Sequence, residues 1–190
     1  MRKIIVSEFV TLDGIMDDPG GAEGTAHGGW SFKFGRSDDQ NKFKSDELFA
    51  CDALLLGRVT YQGLAAAWPT MPGTGAYGER MNSLPKHVFS TTLSALEWNN
   101  SRLIKLNVAE AIAQLKEQPG QDILVFGSGN LAQTLMANDL VDQYNLLVHP
   151  VVVGSGKRLF QDGTQAALKL VEAKRFDNGI VALIYQADRK

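Results

Sequence analysis

Apolar and polar positions fall into short alternating or continuous blocks, and these blocks predict an order of elements. Residues 3–10 (KIIVSEFV) are β-rich and stop at Thr11-Leu12-Asp13-Gly14, a turn signal. Residues 17–29 (DDPGGAEGTAHGG) form a Gly-rich loop, of a length that in compact domains is usually a functional lid or disordered. Ser37-Asp38-Asp39 opens a helix whose face continues through Phe43, Glu47, Leu48 and Ala50. Ala53–Leu56 is a fully apolar strand that ends at Gly57-Arg58, and residues 59–67 read as a helix. Residues 68–82 read as an irregular loop with glycines and prolines. Short strands are predicted over His87–Phe89 and Arg102–Lys105, and a helix over Val108–Glu117. Ile123–Phe126 is a buried strand, followed by Gly127-Ser128-Gly129 and a helix over Asn130–Ala137. Residues 141–154 read as one long strand with Pro150 marking an edge or a bulge. The C-terminus reads as a hairpin, Lys169–Arg175 and Ile180–Gln186 around Asp177-Asn178-Gly179, where Asn-Gly favours a type I′ turn.

Strands alternate with helices and then follow one another alone. This order implies an α/β protein with a mostly parallel central sheet, helices on its faces and an antiparallel C-terminal edge. No repeat or interdomain linker interrupts it, so residues 1–190 are expected to be one domain. The formal net charge of -2, without blocks of like charge, argues against a nucleic-acid binder. No stretch approaches membrane-spanning length. The single cysteine, Cys51, allows neither an internal disulfide nor a multi-cysteine metal site, and it reads as a small buried residue. A cytoplasmic protein is expected. His27, His87 and His149 have no metal-ligand spacing, so no metal is expected.

The chemistry concentrates at three strand ends. LLLGRVTY (54–61) and DILVFGSGNLAQTL (122–135) each run from an apolar strand through glycine into a helix, and KHVFSTTL (86–93) ends in hydroxyl residues. Ligands of open α/β sheets bind beyond the carboxyl ends of the strands. Helix N-termini offer free N–H groups and a partial positive charge, and glycine permits close approach of a phosphate. Arg58 adds a permanent cation. These features point to a dinucleotide, and the extra cation and hydroxyls suit a 2′-phosphate. GSGNLA fits G-x-G-x-x-A, but it comes late in the chain and the next strand ends in Val152-Val153-Gly154 without an acid. A classical Rossmann domain is therefore rejected.

The first strand with TLDG (11–14), then LLLGRVTY, VFSTT (88–92) and the block from Asp122 to Phe160, resembles the dihydrofolate reductase-like superfamily. Within it, the chain is most similar to stand-alone relatives of the reductase domain of the bifunctional riboflavin-biosynthesis deaminase-reductase. The resemblance covers nearly the whole chain and implies a three-layer dihydrofolate reductase-like fold. It implies an NADPH-dependent reductase, acting on a small pterin-, pyrimidine- or ribosylamino-type substrate, that works as a homodimer. Gly57, Arg58 and Thr60 match positions that hold the cofactor's phosphates, Ser90 and Thr91 the pair near its 2′-phosphate, and Gly127, Ser128 and Gly129 the pyrophosphate turn. Ser7 and Ile15 fall where the family packs the nicotinamide, and Trp30 where a tryptophan lies on the mobile loop. The zinc-deaminase half is absent: there is no H-x-E and no P-C-x-x-C.

The residues leave several roles open. Asp13 is either a proton donor near the nicotinamide or an Asp-Gly turn residue. Trp30 either stacks on a planar substrate or fills the core, and Tyr61 and Trp68 either wall the pocket or pack a helix. Glu8 and Glu47 face the cleft or solvent, Asp38 and Asp39 cap a helix, and Lys33 or Arg36 could meet a substrate phosphate. Lys157 and Arg158 could touch an anion. The reading from another class is a nucleotide- or ligand-binding module without turnover.

Overall fold

The structure is a computed structural model describing residues 1–105 and 107–189. Its eight strands are β1 (Ile4–Thr11), β2 (Cys51–Gly57), β3 (Lys86–Phe89), β4 (Ser101–Ile104), β5 (Asp122–Phe126), β6 (Gln143–His149), β7 (Leu168–Arg175) and β8 (Val181–Ala187). They form one sheet in the order β4-β3-β2-β5-β1-β6-β8-β7. The pairs from β4 to β6 are parallel, while β6–β8 and β7–β8 are antiparallel. The helices are α1 (Asp38–Phe49), α2 (Arg58–Ala67), α3 (Gly75–Ser83), α4 (Val108–Glu117) and α5 (Gly129–Ala137). A short 3-10 helix spans Trp30–Phe34.

Parallel strands buried on both faces need apolar side chains on both, which is why β2 and β5 read as continuous apolar runs. One face carries Ile4, Val6, Leu55, Ile123 and Val125 against Ile112, Leu131 and Leu135 of α4 and α5. The other carries Ile5, Leu54, Leu56 and Leu124 against Leu48 of α1, Tyr61 of α2 and Met81 of α3. The result is three layers, helix–sheet–helix.

Three expectations are corrected. Residues 68–82 contain α3: two glycines lower its intrinsic propensity, but packing of buried Met81 and the Trp68–Tyr77 ring pair (5.6 Å) overrides it. The strand predicted over 141–154 stops at His149, because Pro150 has no N–H for the ladder. The C-terminal turn is not type I′: only Gly179 has positive φ (83°), and its N–H donates to the Phe176 carbonyl at 3.0 Å. That is a type I turn followed by a left-handed residue.

Candidate functional site

β2 and β5 are neighbours, so their carboxyl ends deliver α2 and α5 side by side. The two strand-to-helix turns are bonded to each other. The Ser128 hydroxyl donates to the Phe126 carbonyl (2.8 Å) and accepts the Gly57 N–H (2.9 Å). The Ser128 N–H donates to the Thr60 hydroxyl (2.8 Å). Gly127 and Ser128 both have positive φ, 51° and 58°. A side chain on Gly127 would also come within 2.8 Å of the Thr60 hydroxyl oxygen, so glycine is required there twice over. Ser128 carries the left-handed conformation without being glycine, a cost its three hydrogen bonds offset.

These bonds occupy the N-cap amides of both helices. The next three amides of each, at 58–60 and 129–131, have no partner within their helices. Arg58 is exposed, and among the described residues its guanidinium bonds Gln62 alone (3.0 Å). Gly57 pairs in register with Phe89, so Ser90 and Thr91 emerge beside Arg58. Thr91 is exposed, and the Ser90 hydroxyl accepts the amides of Thr92 (3.2 Å) and Leu93 (3.0 Å).

Ser7 and its neighbours form a buried polar network on the α1 face. The Glu47 carboxylate accepts from the Ser7 hydroxyl (2.9 Å) and the Asn145 amide (2.6 Å), and it pairs with Lys44. The Lys44 ammonium also donates to Ser7 (2.8 Å) and lies 4.5 Å from the centre of the Phe126 ring. Glu47 therefore faces the protein interior. Glu8 points to the opposite face, among Val6, Val10 and cross-strand Leu146, and is buried. Its Oε1 has no hydrogen-bond partner among the described residues, and burial pushes its carboxyl well above the usual range, opposed by Lys44 and by the Gly127 amide.

Asp13 braces a loop. Its carboxylate accepts from the Thr11 hydroxyl (2.6 Å) and from the amide of Gly154 (2.8 Å). The Thr11 bond, with those amides, holds its pKa below the ordinary carboxylate value, so it stays ionised. Ile15 is buried and packs on Gly156, while its neighbour Met16 reaches Gly129. Arg158 meets the Ile15 backbone, and Lys157 pairs loosely with Asp17 (3.4 Å).

Trp30 is fully buried, its indole N–H bonded to the Asp17 carbonyl (2.8 Å) and its ring edge-on to His149 at 5.0 Å. His149 also meets Phe9 and Phe34, and its Nδ1–H donates to the Leu147 carbonyl (2.9 Å). Burial lowers its pKa, so the ring is neutral. The loop before Trp30 is wound around Asp18, whose carboxylate accepts the amides of Glu23 (3.0 Å) and Thr25 (3.1 Å). Burial opposes the charge, but these bonds win and its pKa is lowered. A cavity of about 100 Å³ remains under this loop, between Trp30, His27, Asp17 and Gly156.

Tyr61 lies in the core under α2, its hydroxyl accepting the Trp98 amide (3.0 Å). Ser37, not Asp38 or Asp39, is the N-cap of α1; Asp39 in its first turn accepts the Gln40 amide (2.9 Å) and ties the helix to the C-terminal turn at Asp177 (3.3 Å), while Asp38, Lys33 and Arg36 are exposed. A second cavity, about 290 Å³, lies at the opposite ends of the strands, lined by Ile5, Phe43, Glu47, Cys51 and Asn145. Burial pushes the Cys51 thiol up to about 12, which makes it inert. Among the described residues, no group of three or more His, Cys, Asp or Glu could hold a metal ion. No helix among them is long and apolar enough to cross a membrane.

Comparison with known proteins places this geometry among relatives. Residues 2–182 match the family model of the RibD C-terminal domain. The chain is 32% identical to the uncharacterized protein YyaP of Bacillus subtilis (strain 168), over 97% of this chain and 94% of YyaP. A candidate riboflavin biosynthesis protein from Shewanella sp. PV-4 superposes with TM-score 0.79 at 19% identity, covering 98% of this chain and 99% of that one. A Thermotoga maritima diaminohydroxyphosphoribosylaminopyrimidine deaminase/5-amino-6-(5-phosphoribosylamino)uracil reductase superposes with TM-score 0.65 at 15% identity. That match covers 98% of this chain and 56% of the Thermotoga chain. The fold is the dihydrofolate reductase-like one.

Proposed function

The chain belongs to the RibD C-terminal domain family, and from that premise we propose that it is an NADPH-dependent reductase of a small pterin-, pyrimidine- or ribosylamino-type substrate. The observation that carries the proposal is the joined pair of helix N-termini, with Ser128 bonded to both Gly57 and Thr60 at adjacent strand ends. The six amides at 58–60 and 129–131 would receive the pyrophosphate, aided by the dipoles of α2 and α5. Arg58, with Ser90 and Thr91 beside it, would hold the 2′-phosphate. Ser7 pairs in register with Phe126, the residue before this turn, and Met16 packs on Gly129 within it. The cofactor, when bound, supplies a hydride to a C=N or C=O bond. The protein's part is to orient, to exclude water through the loop anchored by Trp30, and to hold a proton nearby.

Asp13 as an ionised brace favours a second reading, a binding module without turnover. The same fold and the reducing chemistry suit a cytoplasmic homodimer, with the exposed Leu170 and Val171 of edge strand β7 offering a pairing surface. The test is a fluorescence titration with NADPH and NADH, followed by oxidation assays across a substrate panel. NADPH-selective binding with turnover is expected. Binding without oxidation of any substrate selects the second reading, and no binding of either nucleotide overturns both.

A further inference from the structure

Glu8 is the one polar interruption on its face of β1. Ile4, Val6 and Val10 on that face are buried core residues, and the pairing register sets Glu8 opposite Leu146 of β6. On its other side Ser7 pairs with Phe126, so Glu8 lies level with the glycine turn that follows β5. The Gly127 amide faces its carboxyl. Only 4% of Glu8 is exposed, and its Oε1 has no partner. The nearest cation does not rescue it: the Lys44 ammonium comes from α1 on the far side of the sheet and is engaged by Glu47 and Ser7. The charged groups acting on Glu8 are thus Lys44 and Glu47, of opposite sign and paired with each other. A bare carboxylate in such a place would lose its hydration without a partner to replace it. As a neutral acid Glu8 offers an O–H donor, and its Oε1 has no partner among the described residues.

We propose that Glu8 is a hydrogen-bond donor of the binding site, whose carboxylic O–H engages an oxygen of the nucleotide seated on the Gly127–Gly129 turn. The inference rests on the reductase reading. It gives that reading a consequence the glycine turn alone lacks. An ionised Glu8 would set a negative charge beside an anionic ligand, so the nucleotide binds the protonated protein and binding is linked to a proton. Affinity then falls as the pH rises through the pKa of Glu8, by up to about tenfold per unit for one linked proton. A neutral glutamine keeps the shape and a donor but cannot ionise.

The experiment is NADPH titration of wild type and E8Q from about pH 6 to about pH 9, with the carboxyl carbon of Glu8 followed by NMR in the nucleotide-free protein. The expected result is wild-type affinity that weakens with rising pH, a flat profile for E8Q, and a Glu8 carboxyl still protonated at neutral pH. Parallel profiles in the two proteins overturn the inference while leaving the reductase reading intact. A Glu8 carboxyl ionised at neutral pH overturns it too, from wild type alone, even if E8Q does not fold. No NADPH binding by either protein at any pH overturns the reductase reading and this inference with it.

Discussion

Ser128 holds two helices with one hydroxyl, and its removal has a calculable effect. Ser128→Ala deletes the bond to the Phe126 carbonyl and the bond from the Gly57 amide. Each is a neutral hydrogen bond worth about 1 kcal/mol net, and the second leaves a half-buried donor without an acceptor. The loss is about 2 kcal/mol. For a domain of this size that lowers Tm by about 4–8 °C. Ser128→Gly removes the same hydroxyl but relieves the left-handed backbone at φ 58°, so it should be about 1 kcal/mol more stable than the alanine variant. Urea unfolding with an unchanged m-value reads both numbers. Both variants should weaken NADPH several-fold, because the Gly57 and Ser128 turns then move apart. An alanine variant within about 0.5 kcal/mol of wild type would refute the energetic argument. Intact NADPH affinity in a destabilised variant would refute the link from this bond to the site.

Arg58→Ala should leave Tm unchanged, since the side chain is exposed and meets only Gln62. It should weaken NADPH by about 1–3 kcal/mol, roughly 5- to 150-fold, and spare NADH; equal losses remove Arg58 from the 2′-phosphate. Asp18 has a depressed pKa, so its hold on the loop is complete above the ordinary 3.8 and is lost as pH falls through the lower folded value. Asp18→Asn mimics the protonated state, and limited proteolysis at neutral pH should cut residues 19–28 in the variant but not in wild type. Lys86 is wholly buried, with its ammonium on the carbonyls of Asn82 (3.0 Å), Leu84 (2.8 Å) and Asn99 (3.1 Å). Lys86→Met strands those carbonyls and should destabilise by roughly 3 kcal/mol or more in denaturant titration; a neutral effect would mean water replaces the ammonium.

The helix-forming glycine turns were legible because they are local: strand, glycine and helix follow one another within a dozen residues. That Ser128 would bond Gly57 was not, since it depends on β2 pairing with β5 across the chain. Asp13 had two readings, and its bond from the Gly154 amide is a contact that the local sequence does not announce. Glu8 did carry a signal. The alternation Ile4, Val6, Glu8, Val10 puts an acid where the period of a strand asks for an apolar residue. Its neighbours then decide between cleft and solvent, and those come from β5 and β6, more than a hundred residues on. α3 escaped because its glycines speak against a helix locally and Met81 speaks for one only through packing.

The central position of β1 also bears on how the chain is made. Its partners are β5 and β6, with Ile4 beside Ile123 and Ile5 beside Gln143. As the chain leaves the ribosome, β2, β3 and β4 can pair with one another early, but the first strand has no neighbour until β5 (Asp122–Phe126) is synthesised. Its apolar run waits unpaired, with the loop-closure entropy of a long connection still to be met. A cut anywhere between β1 and β5 separates β1 from the strand that joins it to β2, whereas a cut between β5 and β6 leaves two contiguous sets, β4-β3-β2-β5-β1 and β6-β8-β7. A version split before β5 would therefore leave β1 without a partner until both halves are present together.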